Sequence, residues 1–401
     1  MVKGRENKPH IGIFGRRNNG KSSIINIIAG HEIAIVSPMA GTTTDPVKKS
    51  MEIPGIGPAV LIDTAGIDDF GELGEKRIGK SLEVLKIIDL AILIIIENQF
   101  KEDEVSLIES FNKYNIPFLI IHNKSDILSL DPAFKKELER KYSCKVIDFS
   151  AKNTTDNNIL LKLIADLMPE SAYSSQAMVG GLFKAGEAVL LITPIDNEAP
   201  EGRMILPQVQ AIRDILDHDG LVMICKENQV ADFIAQANPK PVLAITDSQV
   251  FGKIGNQVPT NIPLTSFSIL LARQRGDFEN YLKGTPHLDN LKDGDRVLIL
   301  ESCTHHVTCD DIGRHKIPGW LRKSLNKNLE FDVVAGLSQI PRDIHDYSIV
   351  IQCGGCVLTK KQVVNRVKSA VDAGIPVTNY GMTIAWLHGI YHRAIAVFNQ
   401  H

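Results

Sequence analysis

Between His10 and Gly30 the sequence reads HIGIFGRRNNGKSSIINIIAG: an apolar run, a glycine-bounded loop, then apolar residues at helical spacing. The loop matches G-x-x-x-x-G-K-S from Gly15 to Ser22. A loop of this kind wraps its backbone N–H groups around phosphate at the N-terminus of the helix it opens, so it demands a strand before it and a helix after. Gly15, Asn18, Asn19, Gly20, Lys21, Ser22 and Ser23 would form the cradle. Lys21 would reach the β/γ oxygens, and the Ser22 hydroxyl would ligate Mg²⁺.

Four further elements follow in a fixed order. GTTTD offers Thr42 and Thr43 as a switch that senses Mg²⁺. AVLIDTAG ends a strand at Asp63, Thr64, Ala65 and Gly66, where a carboxylate can hold the Mg²⁺ shell and a glycine can approach the γ-phosphate. PFLIIHNKSD ends another at Asn123, Lys124, Ser125 and Asp126, whose carboxylate can accept from the N1–H and N2–H₂ edge of guanine, which adenine lacks. VIDFSAK ends a third at Ser150, Ala151 and Lys152, suited to guanine O6. Strands alternating with helices predict an α/β fold, a doubly wound parallel sheet with its loops at the carboxyl ends. GTP is the predicted nucleotide. The charged stretch GELGEKRIGKSLEVLKIID after DTAG is expected to be a mobile, partly helical switch with a solvated face.

At 401 residues, more than one core is needed. A Pro/Ser/Gly-rich break, LMPESAYSSQAMVGG, suggests a linker, and the chain divides into a GTPase domain at 1–170, a small α/β domain at 178–270 and a C-terminal α/β domain at 271–401. The middle part shows AVLLITPID, GLVMIC and PVLAITDS as strands but no nucleotide fingerprint, so homodimerisation is its expected role. Asp214, Asp217, His218 and Asp219 read as solvated surface there. A net charge of −3 argues against a broad nucleic-acid surface. The absence of long apolar runs and of an apolar leader predicts a cytoplasmic protein that does not enter a membrane.

Cys144 and Cys225 lie in apolar or strand-like stretches and read as inert thiols. Cys303, Cys309, Cys353 and Cys356 cluster in the last hundred residues. DRVLILESC and YSIVIQC are strands ending at Cys303 and Cys353, so these thiols and Cys356 should converge at carboxyl strand ends. CGGC could be a redox dithiol, although its Gly-Gly interior and a third cysteine fit poorly. With Cys303 and His305 it could bind zinc. Three thiolates beside glycine N–H groups also suit an iron–sulfur cluster.

Asn18, the GTT at 41–43 and the DTAG followed by Ile67 rather than glutamine resemble the MnmE/Era-like GTPases. That resemblance implies slow hydrolysis stimulated by K⁺ held at Asn18, with Lys21, Asn18 and Thr43 as the catalytic set. TPIDNEAPEGRMILPQVQAIRDILD followed by CTHHVTCDDIGRHKIP and CGGC resembles the HydF family of [FeFe]-hydrogenase maturation GTPases over essentially the whole chain. Cys303, His305, Cys353 and Cys356 match the family pattern, whereas Gln352 stands where a histidine is often found and Cys309 has no place in it. The resemblance implies a [4Fe–4S] cluster on Cys303, Cys353 and Cys356, with His305 or Asp310 as candidate fourth ligand; Asp311 or Cys309 could also serve. It further implies a 2Fe precursor built with the radical-SAM maturases HydE and HydG and delivered to apo-[FeFe]-hydrogenase. A tRNA-modification or ribosome-assembly GTPase with a structural metal is the alternative.

Overall fold

The computed structural model describes residues 8–29, 47–67, 83–153, 158–172, 176–195, 204–302, 311–336, 338–355 and 358–399. Thr42, Thr43, Cys303, His305, His306, Cys309, Asp310, Cys356 and residues 71–82 of the charged switch stretch lie outside the described residues. The chain divides into two compact units, Met1–Ser175 and Gln176–His401.

The first unit is a six-stranded sheet of β1 (His10–Gly15), β2 (Val47–Ile53), β3 (Gly57–Asp63), β4 (Leu90–Ile95), β5 (Phe118–His122) and β6 (Lys145–Asp148), in the order β2-β3-β1-β4-β5-β6. All neighbours are parallel except β2, which runs antiparallel to β3 at the edge. Every residue of LAILII in β4 is buried, as expected for a central parallel strand covered on both faces. Ile11 and Ile13 pack with Ile24, Ile25 and Ile28 of helix Lys21–Ala29 and with Leu160 and Ile164 of helix Asn158–Leu167. Phe14, one step out of phase, packs on the other face with Ile108 and Phe111 of helix Glu102–Lys113. The chain leaves β1 to one side for β3 and to the other for β4, and loops that bind ligands in such sheets gather at this reversal.

The second unit holds two four-stranded parallel sheets. One comprises β7 (Ala188–Ile192), β8 (Leu221–Cys225), β9 (Pro241–Thr246) and β10 (Leu264–Ser266), in the order β10-β9-β7-β8. The other comprises β11 (Arg296–Glu301), β12 (Glu330–Ala335), β13 (Ile349–Gln352) and β14 (Val377–Asn379), in the order β12-β11-β13-β14. A single apolar core runs from Leu190, Ile192, Ala244 and Leu264 of the first sheet to Val297–Leu300 and Ile349–Ile351 of the second. Helix Phe267–Arg275 serves both sides: Ile269 and Ala272 join that core, while Phe267, Leu270 and Leu271 pack with Val189, Leu191 and Ala211. Order reverses between β11 and β13, so their carboxyl ends form a crevice. Asp214, expected to be solvated, instead accepts from the Val179 and Gly180 N–H groups, both at 2.7 Å, and ties down the start of this unit.

Candidate functional site

The loop after β1 takes the backbone shape its glycines allow. Gly15 and Gly20 have φ of +146° and +91°, and a Cβ on Gly15 would come within 2.5 Å of the Ile94 carbonyl oxygen. Asn18 is exposed at the turn with φ of +62°, a conformation asparagine tolerates. Lys21 Nζ donates to the Gly15 and Arg16 carbonyls, each at 2.9 Å. Ser22 Oγ donates to Asp63 Oδ2 at 3.0 Å, which joins the two predicted Mg²⁺-side groups. Burial pushes the Asp63 carboxyl above its ordinary pKa, while the Ser22 hydroxyl and Lys21 pull it back. Thr64 Oγ1 donates to the Ile13 carbonyl at 2.7 Å, and the Ile67 N–H reaches Gly15 O at 3.3 Å, so DTAG is moored to β1 and its loop, with Gly66 buried there. Ser23 is exposed on the first turn of the helix.

The guanine-side residues are joined to the same loop. Asn123 Nδ2 donates to the Asn19 carbonyl at 2.9 Å, and its Oδ1 accepts from Ala151 N at 3.1 Å. Asn19 Nδ2 in turn donates to Ile94 O at 2.9 Å. Ser150 Oγ donates to Asp126 Oδ1 at 2.7 Å, and that hydroxyl chiefly holds the exposed Asp126 carboxyl below its usual range. Lys152 is exposed beside it, and Lys124 adopts φ of +62°. Two supports of these loops belong to no motif. Arg16, inside the phosphate loop, makes a bidentate pair with the buried Glu104 at 2.6 and 2.9 Å and also reaches Asp103 at 2.9 Å. His122, fully buried before Asn123, meets Asp148 Oδ1 at 2.8 Å through Nδ1 and accepts from Asn98 N at 3.3 Å through Nε2.

In the second unit Cys353 follows β13 directly, and its N–H donates to Leu300 O of β11. Ser302, the residue before Cys303, touches Cys353 Sγ twice: its N–H donates at 3.0 Å and its hydroxyl lies at 2.7 Å. The ends of β11 and β13 are therefore in contact at the sulfur. Burial raises the Cys353 thiol above its ordinary pKa; the Ser302 hydroxyl and the Gly355 N–H act in the opposite direction. The sulfur opens on a cavity of about 230 Å³ between the two sheets of this unit. Its apolar wall includes Pro207, Phe267, Leu271 and Ile312, and its polar groups include Asp247, Glu301 and Tyr380. Asp311 caps the π-helical turn Ile312–Lys316 by accepting from Arg314 N at 2.9 Å, and Arg314 pairs with the buried Glu301 at 3.0 Å.

Several groups here have spare hydrogen-bonding capacity among the described residues. Tyr380 Oη is buried with no partner, and Arg366, which donates through one nitrogen to Val334 O at 3.0 Å, leaves Nη1 buried and unpaired. Cys353 and Glu301 are among the groups that favour the charged form of Arg366 against burial. Gln352 is fully buried; its Nε2 donates to the Cys353 carbonyl at 3.2 Å, and its Oε1 is unpartnered. His315 is exposed. No three His, Cys, Asp or Glu side chains converge as a metal site among the described residues. The donor set at Cys353 nonetheless fits an iron–sulfur cluster: a soft sulfur, main-chain N–H groups directed at it, and buried cationic charge that would offset a negative cluster.

Comparison with known proteins separates the parts of the chain. Residues 178–276 match the hydrogen maturase F dimerization domain, and residues 279–397 match the hydrogen maturase F tetramerization domain, together more than half of the sequence. The chain belongs to the hydrogen maturase F family. Residues 10–124 match the 50S ribosome-binding GTPase model, and the first unit is a GTPase domain. Among curated proteins, the tRNA modification GTPase MnmE of Baumannia cicadellinicola subsp. Homalodisca coagulata is 36% identical over 163 residues, 39% of this chain and 34% of that protein. GTPase Der of Campylobacter hominis is 37% identical over 143 residues, 35% of this chain and 29% of that protein. The chain thus spans about a third of the length of these relatives. Crystalline Era of Aquifex aeolicus bound to GDP and AlF₄⁻ aligns with 54% of this chain and 92% of its own at 19% identity and a TM-score of 0.35. The two matching family models carry oligomerisation in their descriptions, and the hydrogen maturase F chain is accordingly an oligomer-forming protein. Among the described residues no helix is long and apolar enough to cross a membrane.

Proposed function

We propose that this hydrogen maturase F protein is a GTP-hydrolysing scaffold that binds a [4Fe–4S] cluster, carries a 2Fe precursor and delivers it to apo-[FeFe]-hydrogenase. In this reading it works in the cytoplasm with the radical-SAM maturases HydE and HydG, as a homodimer, through three parts at 1–170, 178–270 and 271–401. Asp126, Ser150, Ala151, Lys152, Asn123 and Lys124 select guanine. Gly15, Asn19, Gly20, Lys21, Ser22 and Ser23 hold the phosphates, and Ser22, Thr43 and Asp63 hold Mg²⁺, with Thr42 and Gly66 beside the γ-phosphate. The Ser22–Asp63 contact supports that assignment. Asn18 contributes to a K⁺ site that assists Lys21 and Thr43 in stabilising transition-state charge. Hydrolysis would gate partner association or cluster release through the switch loops.

The observation that carries the cluster reading is the contact of Ser302 with Cys353 Sγ, which brings the chain next to Cys303 up to the second thiol. Cys303, Cys353 and Cys356 would hold the cluster, and His305 or Asp310 would complete it. Asp311 is already engaged as the cap of Arg314 N, which favours the other two. A bound cluster supplies an iron with an exchangeable position. The protein's own contribution is to donate N–H groups to the sulfurs and to supply buried positive charge from Arg366.

The test is anaerobic reconstitution with iron and sulfide, wild type beside Cys353→Ala, read by metal analysis and EPR. The expectation is about four irons per chain and a reducible cubane signal in the wild type, both lost in the variant. Stoichiometric zinc without that signal would instead favour the tRNA-modification or ribosome-assembly GTPase with a structural metal.

A further inference from the structure

We propose that Tyr380 is a hydrogen-bond donor to an anionic acceptor seated against Cys353, either a sulfur of the cluster or an anionic ligand of the diiron cargo. The proposal rests on the scaffold reading above and extends it to the wall of the cavity that faces the thiol.

Tyr380 opens helix Tyr380–Leu387 and lines the same cavity as Cys353. Its hydroxyl is buried without a partner among the described residues. A buried O–H that forgoes water without gaining a bond is unfavourable, and folded proteins rarely keep one that serves no purpose. The acceptors nearby are already engaged. Glu301 is held by Arg314 at 3.0 Å, Asp311 by the Arg314 N–H at 2.9 Å, and Cys353 by Ser302. The phenol is thus left without an acceptor among these groups.

The surroundings keep the hydroxyl free and favour negative charge in front of it. Gly313, in the π-helical turn, leaves the space beside it clear; a Cβ there would come within 2.1 Å of Tyr380 Oη and 2.9 Å of Glu301 Oε1. π-Helical turns of this kind recur at functional sites. Arg366 brings a buried guanidinium with an unpaired Nη1, and Cys353 and Tyr380 are the first two groups whose charge acts on it. A donor hydroxyl and a thiol on one cavity, with a buried guanidinium in electrostatic reach of both, suit an anion bonded to iron at the sulfur end.

The experiment uses full-length Tyr380→Phe and Gly313→Ala beside wild type, each reconstituted anaerobically with iron and sulfide alone. If the acceptor is a cluster sulfur, losing the donor disfavours the more negative reduced form. The reduction equilibrium should then move about tenfold, a midpoint about 59 mV lower by EPR-monitored titration. If the acceptor belongs to the cargo, the midpoint stays put and a synthetic diiron complex with anionic terminal ligands is retained about tenfold less tightly. Either result supports the proposal. Wild-type midpoint and retention in both variants at full iron content would overturn it. So would a lower melting temperature of iron-free Tyr380→Phe, because the hydroxyl would then have its partner inside the fold. Wild-type protein that takes up no iron is recognised from metal analysis alone; it removes the scaffold reading and this inference with it.

Discussion

Replacing Gly20 by alanine tests whether the phosphate loop and the guanine loop behave as one structure. Gly20 has φ of +91°, and its added Cβ would lie 2.3 Å from Asn123 Nδ2. That amide cannot simply swing aside, since its nitrogen donates to Asn19 O and its oxygen accepts from Ala151 N. A non-glycine residue at positive φ costs about 1–2 kcal/mol. A buried carbonyl that loses its donor costs about 1–3 kcal/mol more. The GDP-bound fold should therefore lose roughly 2–5 kcal/mol relative to the unfolded chain. If the free loop relaxes locally, the loss falls on affinity, as a roughly 30- to 4,000-fold weaker Kd; if it does not, the loss falls on stability. Denaturant titration without nucleotide and fluorescent-GDP binding, added together, capture it either way. A double-mutant cycle with Asn123→Ala isolates the cause, because Gly20→Ala should cost markedly less once the amide is gone. A combined loss below about 0.5 kcal/mol, or strict additivity in the cycle, would refute the steric argument.

Two further outcomes are accessible with simple assays. Cys144, half-buried and near Glu139, has its thiol pushed up to about 12, mainly by burial. At pH 8 roughly one such thiol in ten thousand is ionised, so iodoacetamide should label native Cys144 about a thousandfold more slowly than an unfolded peptide. The rate should keep rising with pH up to about 12; native labelling within about tenfold of the peptide at pH 8 would count against it. β8 is the edge of its sheet, with Leu221 and Ile224 46% and 45% exposed and Val209 and Leu216 exposed on the neighbouring helix Leu206–Asp217. Apolar edges of this kind pair with other chains, so Leu221→Lys combined with Ile224→Lys should lower the mass in light scattering toward a single chain. An unchanged oligomer would place the interface elsewhere.

The nucleotide side of the molecule was legible because its chemistry is local. Gly15, Lys21, Ser22, Asp63, Asn123 and Asp126 each sit in a short motif at a strand end, and a parallel sheet brings strand ends together whatever the intervening sequence. The supports were not legible. Nothing near Arg16 announces Glu104, 88 residues away, and nothing around His122 announces Asp148. Pairing of this kind depends on which helix covers which face, and periodicity does not encode it. Asp214 was misread for the same reason: a carboxylate at a helical surface position looks solvated until the returning chain at Val179 and Gly180 covers it.

The cavity beside Cys353 shows the same limit more sharply. Cysteine spacing and strand ends directed attention to Cys353, yet the walls come from segments that carry no motif: Pro207, Asp247, Phe267, Leu271 and Tyr380 are scattered over more than 170 residues. They meet because one apolar core joins the two sheets of the second unit and helix Phe267–Arg275 packs on both. The sheet carrying the dimerization-domain match thus supplies one wall, and the sheet carrying Cys353 supplies the sulfur. Any change that shifts this helix against β13 must alter the space in front of Cys353, since Leu271 and Gly354 line the same cavity and a Cβ on Gly354 would stand 3.4 Å from Leu271 Cδ1. An oligomeric contact made through the β7–β10 sheet therefore has a direct mechanical route to the thiol, within one unit and through packed side chains.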